Sequence, residues 1–135
     1  YFDFFSQNDY LFWAESRISL GLVSTPYSVD ISNLIGSQYY NSIETNANTG
    51  WLGSGYMNAG FIGIFFYSFL IGIILSYINS YSKFIDNRIL IAISTPIIMQ
   101  LFTSSDLPTT MLNHGFIVLL FLLLFFRTKK YNQNK

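Results

Sequence analysis

Cysteine is absent from the 135 residues, and charge is scarce. With no thiol the chain can form neither a disulfide framework nor a zinc–thiolate centre, and the redox state of its compartment leaves no mark on it. Asp, Glu, Lys and Arg together make up 10% of the residues. A soluble domain carries roughly 25%. A single histidine leaves no His pair for a metal, and no phosphate-cradling glycine loop with its lysine and no Ser-His-Asp ordering stands out. We therefore expect no metal and no cofactor. Seven bases balance seven acids, and no nucleic-acid partner is expected. There is no signal peptide with a basic start, apolar run and small-residue cleavage site, and the first residue is Tyr1. We expect the chain to be the C-terminal part of a longer membrane protein.

What is present is apolar. Hydrophobic residues make up 51% and aromatics 19%, with a mean hydropathy of +0.38. The organising stretch runs from Ala59 to Ile78 without a charge. About 20 residues at 1.5 Å rise cross a ~30 Å hydrocarbon core, and only a helix satisfies its own backbone there. Gly55, Ala59 and Gly63 stand four apart, as do Ser68, Gly72 and Ser76. Such rows let helix backbones approach closely in lipid, although Gly and Ser are in any case common in membrane helices.

A second apolar run, Ile89 to Phe102, is shorter, about 21 Å as a helix. Pro96 should kink it, with Ser94 and Thr95 placed to satisfy the carbonyl freed there. A third run, Met111 to Phe126, is long enough to cross once Pro108 to Thr110 are added. The fold class expected is all-α: a polytopic membrane helix bundle with about three transmembrane helices in 59–126. Before it lies an extracytoplasmic segment, 1–58, with short interfacial helices; after it, a basic tail, 127–135.

Residues 1–13 are crowded with aromatics broken by polar residues. They fit an interfacial segment, where Trp and Tyr gather, or the end of an earlier membrane helix. From Asn8 or Asp9 a helix is predicted to about Leu20, stopped by Gly21 and Pro26. Asp30 should cap a second, Ile31 to Tyr40, interrupted at Gly36. Asn46 to Gly55 holds glycines, asparagines and a threonine, and reads as an ordered turn, with Trp51 and Tyr56 as interface anchors.

Orientation follows from the bases. Lys83, Arg88 and the four in the tail account for six of the seven, while the loop 103–110 has none. Three crossings place the tail and the 79–88 loop together, and the positive-inside rule makes them cytoplasmic. The acidic, aromatic segment 1–58 then faces the opposite side.

The candidates for chemistry lie on that side. Arg17 is the one base among residues 1–58. It can be a solvated ion-pair member, with Glu15 or Asp30, or a bidentate anion contact. Asp106 with Leu107-Pro108-Thr109 reads as a helix cap and first turn, which does not exclude a second role. His114 is either a hydrogen-bonded packing residue or a functional polar group inside a span. If the start of the first span and the start of the third are neighbours, Asn46, Asn48 and Thr49 join Asp106, Thr109, Thr110, Asn113 and His114 around one polar pocket.

The run from Asn46-Ala47-Asn48-Thr49-Gly50-Trp51 through Ala59-Gly60-Phe61-Ile62-Gly63 resembles the signature near the C-terminus of bacterial O-antigen and capsule repeat-unit polymerases. There an Asn/Thr/Gly-rich outer loop runs into a helix opening Ala-Gly-x-x-Gly. Ser104-Ser105-Asp106-Leu107-Pro108-Thr109-Thr110 through Gly115 is similar to that family's next outer loop, although a small residue is more usual where His114 stands. The resemblance covers roughly residues 25–126. It implies a glycosyltransferase of the inner membrane with a type C-like fold. Such an enzyme joins oligosaccharide units carried on undecaprenyl pyrophosphate at the outer face, without a metal. Its partners would be that lipid-linked oligosaccharide and membrane lipid, with a chain-length regulator and a flippase as protein partners. Under it, Arg17 would serve the pyrophosphate, and Glu44 or Asp106 would act as base. Asp30 would act as base or bind sugar hydroxyls. Tyr39, Tyr40 and Trp51 would stack on sugar faces, and Asn46, Asn48, Thr49, Thr109 and His114 would line the substrate site.

Three other functions fit the pattern less well. An O-antigen ligase would show a basic outer loop with a prominent His. A transporter or flippase subunit would show internal repeats or broken helices with charges at mid-membrane depth. A small structural partner in a membrane complex is the third.

Overall fold

A computed structural model describes residues 1–14 and 19–133, and all regular structure in it is helical. In order the helices are α1 (Phe2–Phe5), α2 (Ile31–Tyr40), α3 (Trp51–Ser80), α4 (Asn87–Thr103), α5 (Leu107–Asn113) and α6 (Phe116–Gln133). A short 3₁₀ turn, Tyr81–Lys83, follows α3.

Local chemistry sets several of these boundaries. The Asp30 carboxylate accepts from the Ser32 amide at 3.0 Å and caps α2, which ends where Asn41 turns left-handed at φ 54°. Gly36 does not interrupt α2. A Cβ there would sit 2.0 Å from the Thr45 carbonyl oxygen, so glycine allows the following connector to lie against the helix. Asp86 caps α4 through the Arg88 amide at 2.8 Å. The expectation that Ser94 and Thr95 satisfy the carbonyl freed by Pro96 is corrected. α4 continues through Pro96 as one element, and Ser94 and Thr95 donate to the Leu90 and Ile91 carbonyls at 2.6 and 2.8 Å, two residues and one residue short of the Ala92 carbonyl that the proline leaves free.

The largest departure from the sequence reading is in α3. Residues 51–55, predicted as a turn, are helical, and the helix breaks later, at Ala59 (φ −155°, ψ 31°) and Gly60 (φ 60°, ψ −142°). Eight residues apart in an unbroken helix is ~12 Å. Here a Cβ on Gly63 would lie 2.0 Å from the Gly55 carbonyl oxygen, so the short arm, 51–58, lies directly against the start of the long arm, 61–80. The Gly55-Ala59-Gly63 row does permit close backbone approach, but between two arms of one helix.

Segment 10–13 seals the break. The Leu11 and Phe12 amides donate to the Met57 and Asn58 carbonyls at 2.9 and 3.0 Å, and the Trp13 amide donates to Asn58 Oδ1 at 2.7 Å. To make these bonds Phe12 and Trp13 take positive φ, 48° and 62°, which bulky residues rarely adopt. The helix predicted from Asn8 or Asp9 is therefore absent over residues 9–14. Its amides are committed to a partner about 45 residues away.

One helix among the described residues, α3 with its 3₁₀ extension, is long and apolar enough to cross a membrane. The long arm alone reaches about 30 Å. Phe61, Ile62 and Phe65 on it are 75%, 77% and 73% exposed, the kind of apolar surface that hydrocarbon rather than water covers. The third run is not a straight span: α5 and α6 meet at a 59° bend, where Gly115 sits at φ 75°. The pair counts as a second span only if taken as one. α4, at 17 residues, is shorter than a full crossing.

Three buried clusters hold the chain together. Phe4, Phe5, Leu11, Ile31, Ile35 and Tyr56 form the first, around the break. Tyr67, Ile71, Leu101 and Leu107 join α3 to the end of α4 and the start of α5. Ile78, Tyr81, Leu90, Phe116, Leu119 and Leu123 join α3, α4 and α6.

Candidate functional site

Ordering of the connector after α2 creates a polar concavity. The Ala47 amide donates to the Ser32 carbonyl at 3.1 Å, the Tyr1 hydroxyl donates to the Ala47 carbonyl, and the Asn48 amide donates to the Asn46 carbonyl at 3.0 Å. Between this connector and the last turn of α2 opens a cleft of about 430 Å³, lined by Tyr39, Tyr40, Asn46, Asn48, Thr45 and Tyr1 among others. Tyr40 is 67% exposed, which leaves its ring face free to stack. The Tyr39 hydroxyl donates to Asp3 Oδ2 and is thereby fixed. That hydrogen bond is the main cause of a raised Tyr39 pKa, so its proton stays on the phenol. Amide side chains beside aromatic faces form a neutral surface suited to sugar hydroxyls and ring C–H groups.

Four of the predicted residues, Tyr39, Tyr40, Asn46 and Asn48, thus share one cleft. The others are placed elsewhere. Glu44 is exposed on the turn before the connector and does not line the cleft. Asp30 caps the opposite end of α2, ~15 Å away along the helix. Thr49 is half-buried, with its hydroxyl 3.4 Å from the Gly50 carbonyl and close against Gly53. Trp51 points inward: its ring meets Phe102 edge-on at 6.0 Å. Tyr56, expected as an interface anchor, is buried between Phe2, Tyr10 and Phe61 because the short arm folds back at the break. Arg17 lies outside the described residues.

The start of α3 lies against the end of α4, since a Cβ on Gly50 would lie 2.2 Å from the Phe102 carbonyl oxygen, and Trp51 packs in one cluster with Leu107 and Met111 of α5. Of the residues expected around one polar pocket, the cleft is lined by Asn46 and Asn48 but not by Thr49, Asp106, Thr109, Thr110, Asn113 or His114. Asp106 caps α5, accepting the Thr109 amide at 2.9 Å, and His114 is exposed at the α5–α6 bend. Among the described residues no three His, Asp or Glu side chains converge.

Four polar residues that the sequence did not single out as site residues are buried between these regions: Ser54, Asn58, Tyr67 and, noted only as a neighbour, Thr110. Asn58 Nδ2 donates to the Ser54 carbonyl at 2.9 Å, and Trp13 Nε1 donates to the Tyr67 hydroxyl at 2.8 Å. A tyrosine and an asparagine inside or beside an apolar run were the available signal.

Compared with known proteins, the chain matches no protein-family model, no curated protein and no solved structure.

Proposed function

We propose that the chain is the C-terminal part of a multi-pass glycosyltransferase that polymerises lipid-linked oligosaccharide units into O-antigen or capsular polysaccharide. The observation that carries this reading is the cleft of Tyr39, Tyr40, Asn46 and Asn48. It stands beside the Asn/Thr/Gly run that resembles the polymerase signature, next to the one helix among the described residues that is long and apolar enough to cross a membrane. On this reading α3, α4 and the α5–α6 pair make three crossings of a type C-like bundle in the inner membrane. The cleft is extracytoplasmic and the tail cytoplasmic. A hydroxyl of the incoming unit bonds to the anomeric carbon of the growing chain. The bond from that carbon to the lipid pyrophosphate breaks, and the hydroxyl proton passes to a carboxylate, Asp106 or Glu44. Arg17 steadies the departing pyrophosphate. The cleft positions sugar rings.

Deletion of the full-length gene tests this. The expected outcome is surface glycan of a single repeat attached to its core, with the long ladder gone. Loss of all attached repeats contradicts the polymerase and favours a ligase or a flippase. A transporter gains one point of support, the broken helices at Ala59–Gly60 and at the 59° bend. Against it, no Asp, Glu, Lys or Arg stands within three residues of either break.

A further inference from the structure

Two hydroxyls and an indole N–H are buried without a well-formed hydrogen bond: Ser54 Oγ, which has only the Tyr67 phenol beside it, Thr110 Oγ1 and Trp51 Nε1. Buried polar groups are paired in nearly all folded proteins, so each unpaired one calls for an explanation. These three lie in one neighbourhood. Trp51 and Ser54 are three apart on the short arm and so share a face. Trp51 packs with Tyr67, Leu107 and Met111 in a single cluster, which links that arm to α5. The Ser54 hydroxyl lies close to the Tyr67 phenol, and the Asp106 carboxylate is within electrostatic reach of it. Thr110 follows Asp106 by one turn and donates its amide to the Asp106 carbonyl at 2.9 Å. Asp106 Oδ1 takes the Thr109 amide, which leaves Oδ2 without a partner among the described residues.

We propose that Trp51, Ser54, Thr110 and Asp106 form a second binding site, for a hydroxyl-rich uncharged ligand of the saccharide class. The inference rests on the glycosyltransferase reading and assigns the acceptor hydroxyl to this junction, apart from the Tyr39–Asn48 cleft. The chemistry selects the ligand. The junction offers one fixed donor, two hydroxyls that donate or accept, and one carboxylate acceptor. The Asp106 carboxylate makes the junction negative among the described residues, which disfavours a phosphate and suits a neutral hydroxyl that gives its proton to Asp106. Ser54 and Thr110 are fully covered, so the ligand enters when α5 shifts. α5 is seven residues long, and Gly115, two residues past its end, has open space around it at φ 75°.

The test uses the full-length protein carrying Ser54→Ala or Thr110→Val. Glycan length is read on a gel beside the deletion strain, and melting temperature is read on the protein in detergent. If the hydroxyls serve a ligand, each variant cuts long-chain product on the order of tenfold, the effect of one lost hydrogen bond. Its melting temperature is at or above the parent's, because an unpaired buried group has been removed. Thr110→Ser restores the ladder. A normal ladder in both variants overturns the site and leaves the polymerase reading standing. A ladder that falls only in step with melting temperature also overturns it, by making the hydroxyls structural. A deletion strain that still makes the full ladder overturns both.

Discussion

The chain before the Ala59–Gly60 break and the chain after it are held together by different kinds of hydrogen bond. After the break, several serine and threonine hydroxyls return to their own helix, and the Tyr77 hydroxyl reaches the Leu120 carbonyl at 3.4 Å. Ser68, Ser94, Thr95 and Thr103 all donate to the carbonyl four residues back. Before it, polar groups reach across the sequence: Tyr1 to Ala47, Trp13 to Asn58, Tyr39 to Asp3 and Tyr27 to Asp9. The apolar half bonds largely within its own helices, the pattern that a segment in hydrocarbon requires. The polar half is a fitted structure whose parts hold one another, and it is where a shaped cleft can form.

Substitutions at the join should separate the halves most sharply. Gly63→Leu places a side chain where the Gly55 carbonyl already stands, with a Cβ separation of 2.0 Å. It should cost more than ~3 kcal/mol and remove the folded protein from the membrane, read as abundance by blot. Gly72→Leu, on the same helix with nothing within 4 Å, should be tolerated. Next in size, Arg17→Ala should abolish the glycan ladder at unchanged abundance, while Arg17→Lys keeps part of it. Normal chain length in the Ala variant would remove Arg17 from the site. Asn58→Leu breaks the bonds to Trp13 and Ser54 at once, and should cost ~2–4 kcal/mol, read as a lowered melting temperature.

Smaller effects belong to the cleft. Tyr40→Ala removes an exposed ring and should shorten the glycan several-fold with no change in melting temperature. Tyr39→Phe removes the bond to Asp3, and its effect should be the least. The Tyr39 pKa is raised from 10.0, so the folded form holds its proton more tightly than the unfolded one. The contribution is complete below pH 10 and is lost as pH rises through the raised value. The melting-temperature difference between parent and Tyr39→Phe should therefore shrink in alkali.

The same contrast governs what the sequence made legible. α2 could be read from Asp30 to Tyr40, and α5 from Asp106, because cap chemistry is local. The apolar runs were visible from composition. Segment 9–14 was misread because its amides are spent on Met57 and Asn58, a pairing that no local pattern encodes. The α3 break and the bend at Gly115 were missed for a related reason, since a glycine in an apolar run fits an unbroken helix as well as a turn. At the site, Tyr39, Tyr40, Asn46 and Asn48 were legible as a polar, aromatic patch. Trp51 turned inward, and Ser54 and Tyr67 did not stand out, because the sequence does not show which face of a broken helix is covered.

The central claim is that the cleft and the basic tail lie on opposite sides of one membrane. In an otherwise cysteine-free full-length protein, Ile43→Cys beside the cleft and Asn134→Cys in the tail can each be probed with an impermeant thiol reagent on intact spheroplasts. The account predicts labelling at position 43 at once and at position 134 only after the membrane is opened. Labelling of position 134 in intact spheroplasts, or of both positions from the same side, would contradict it.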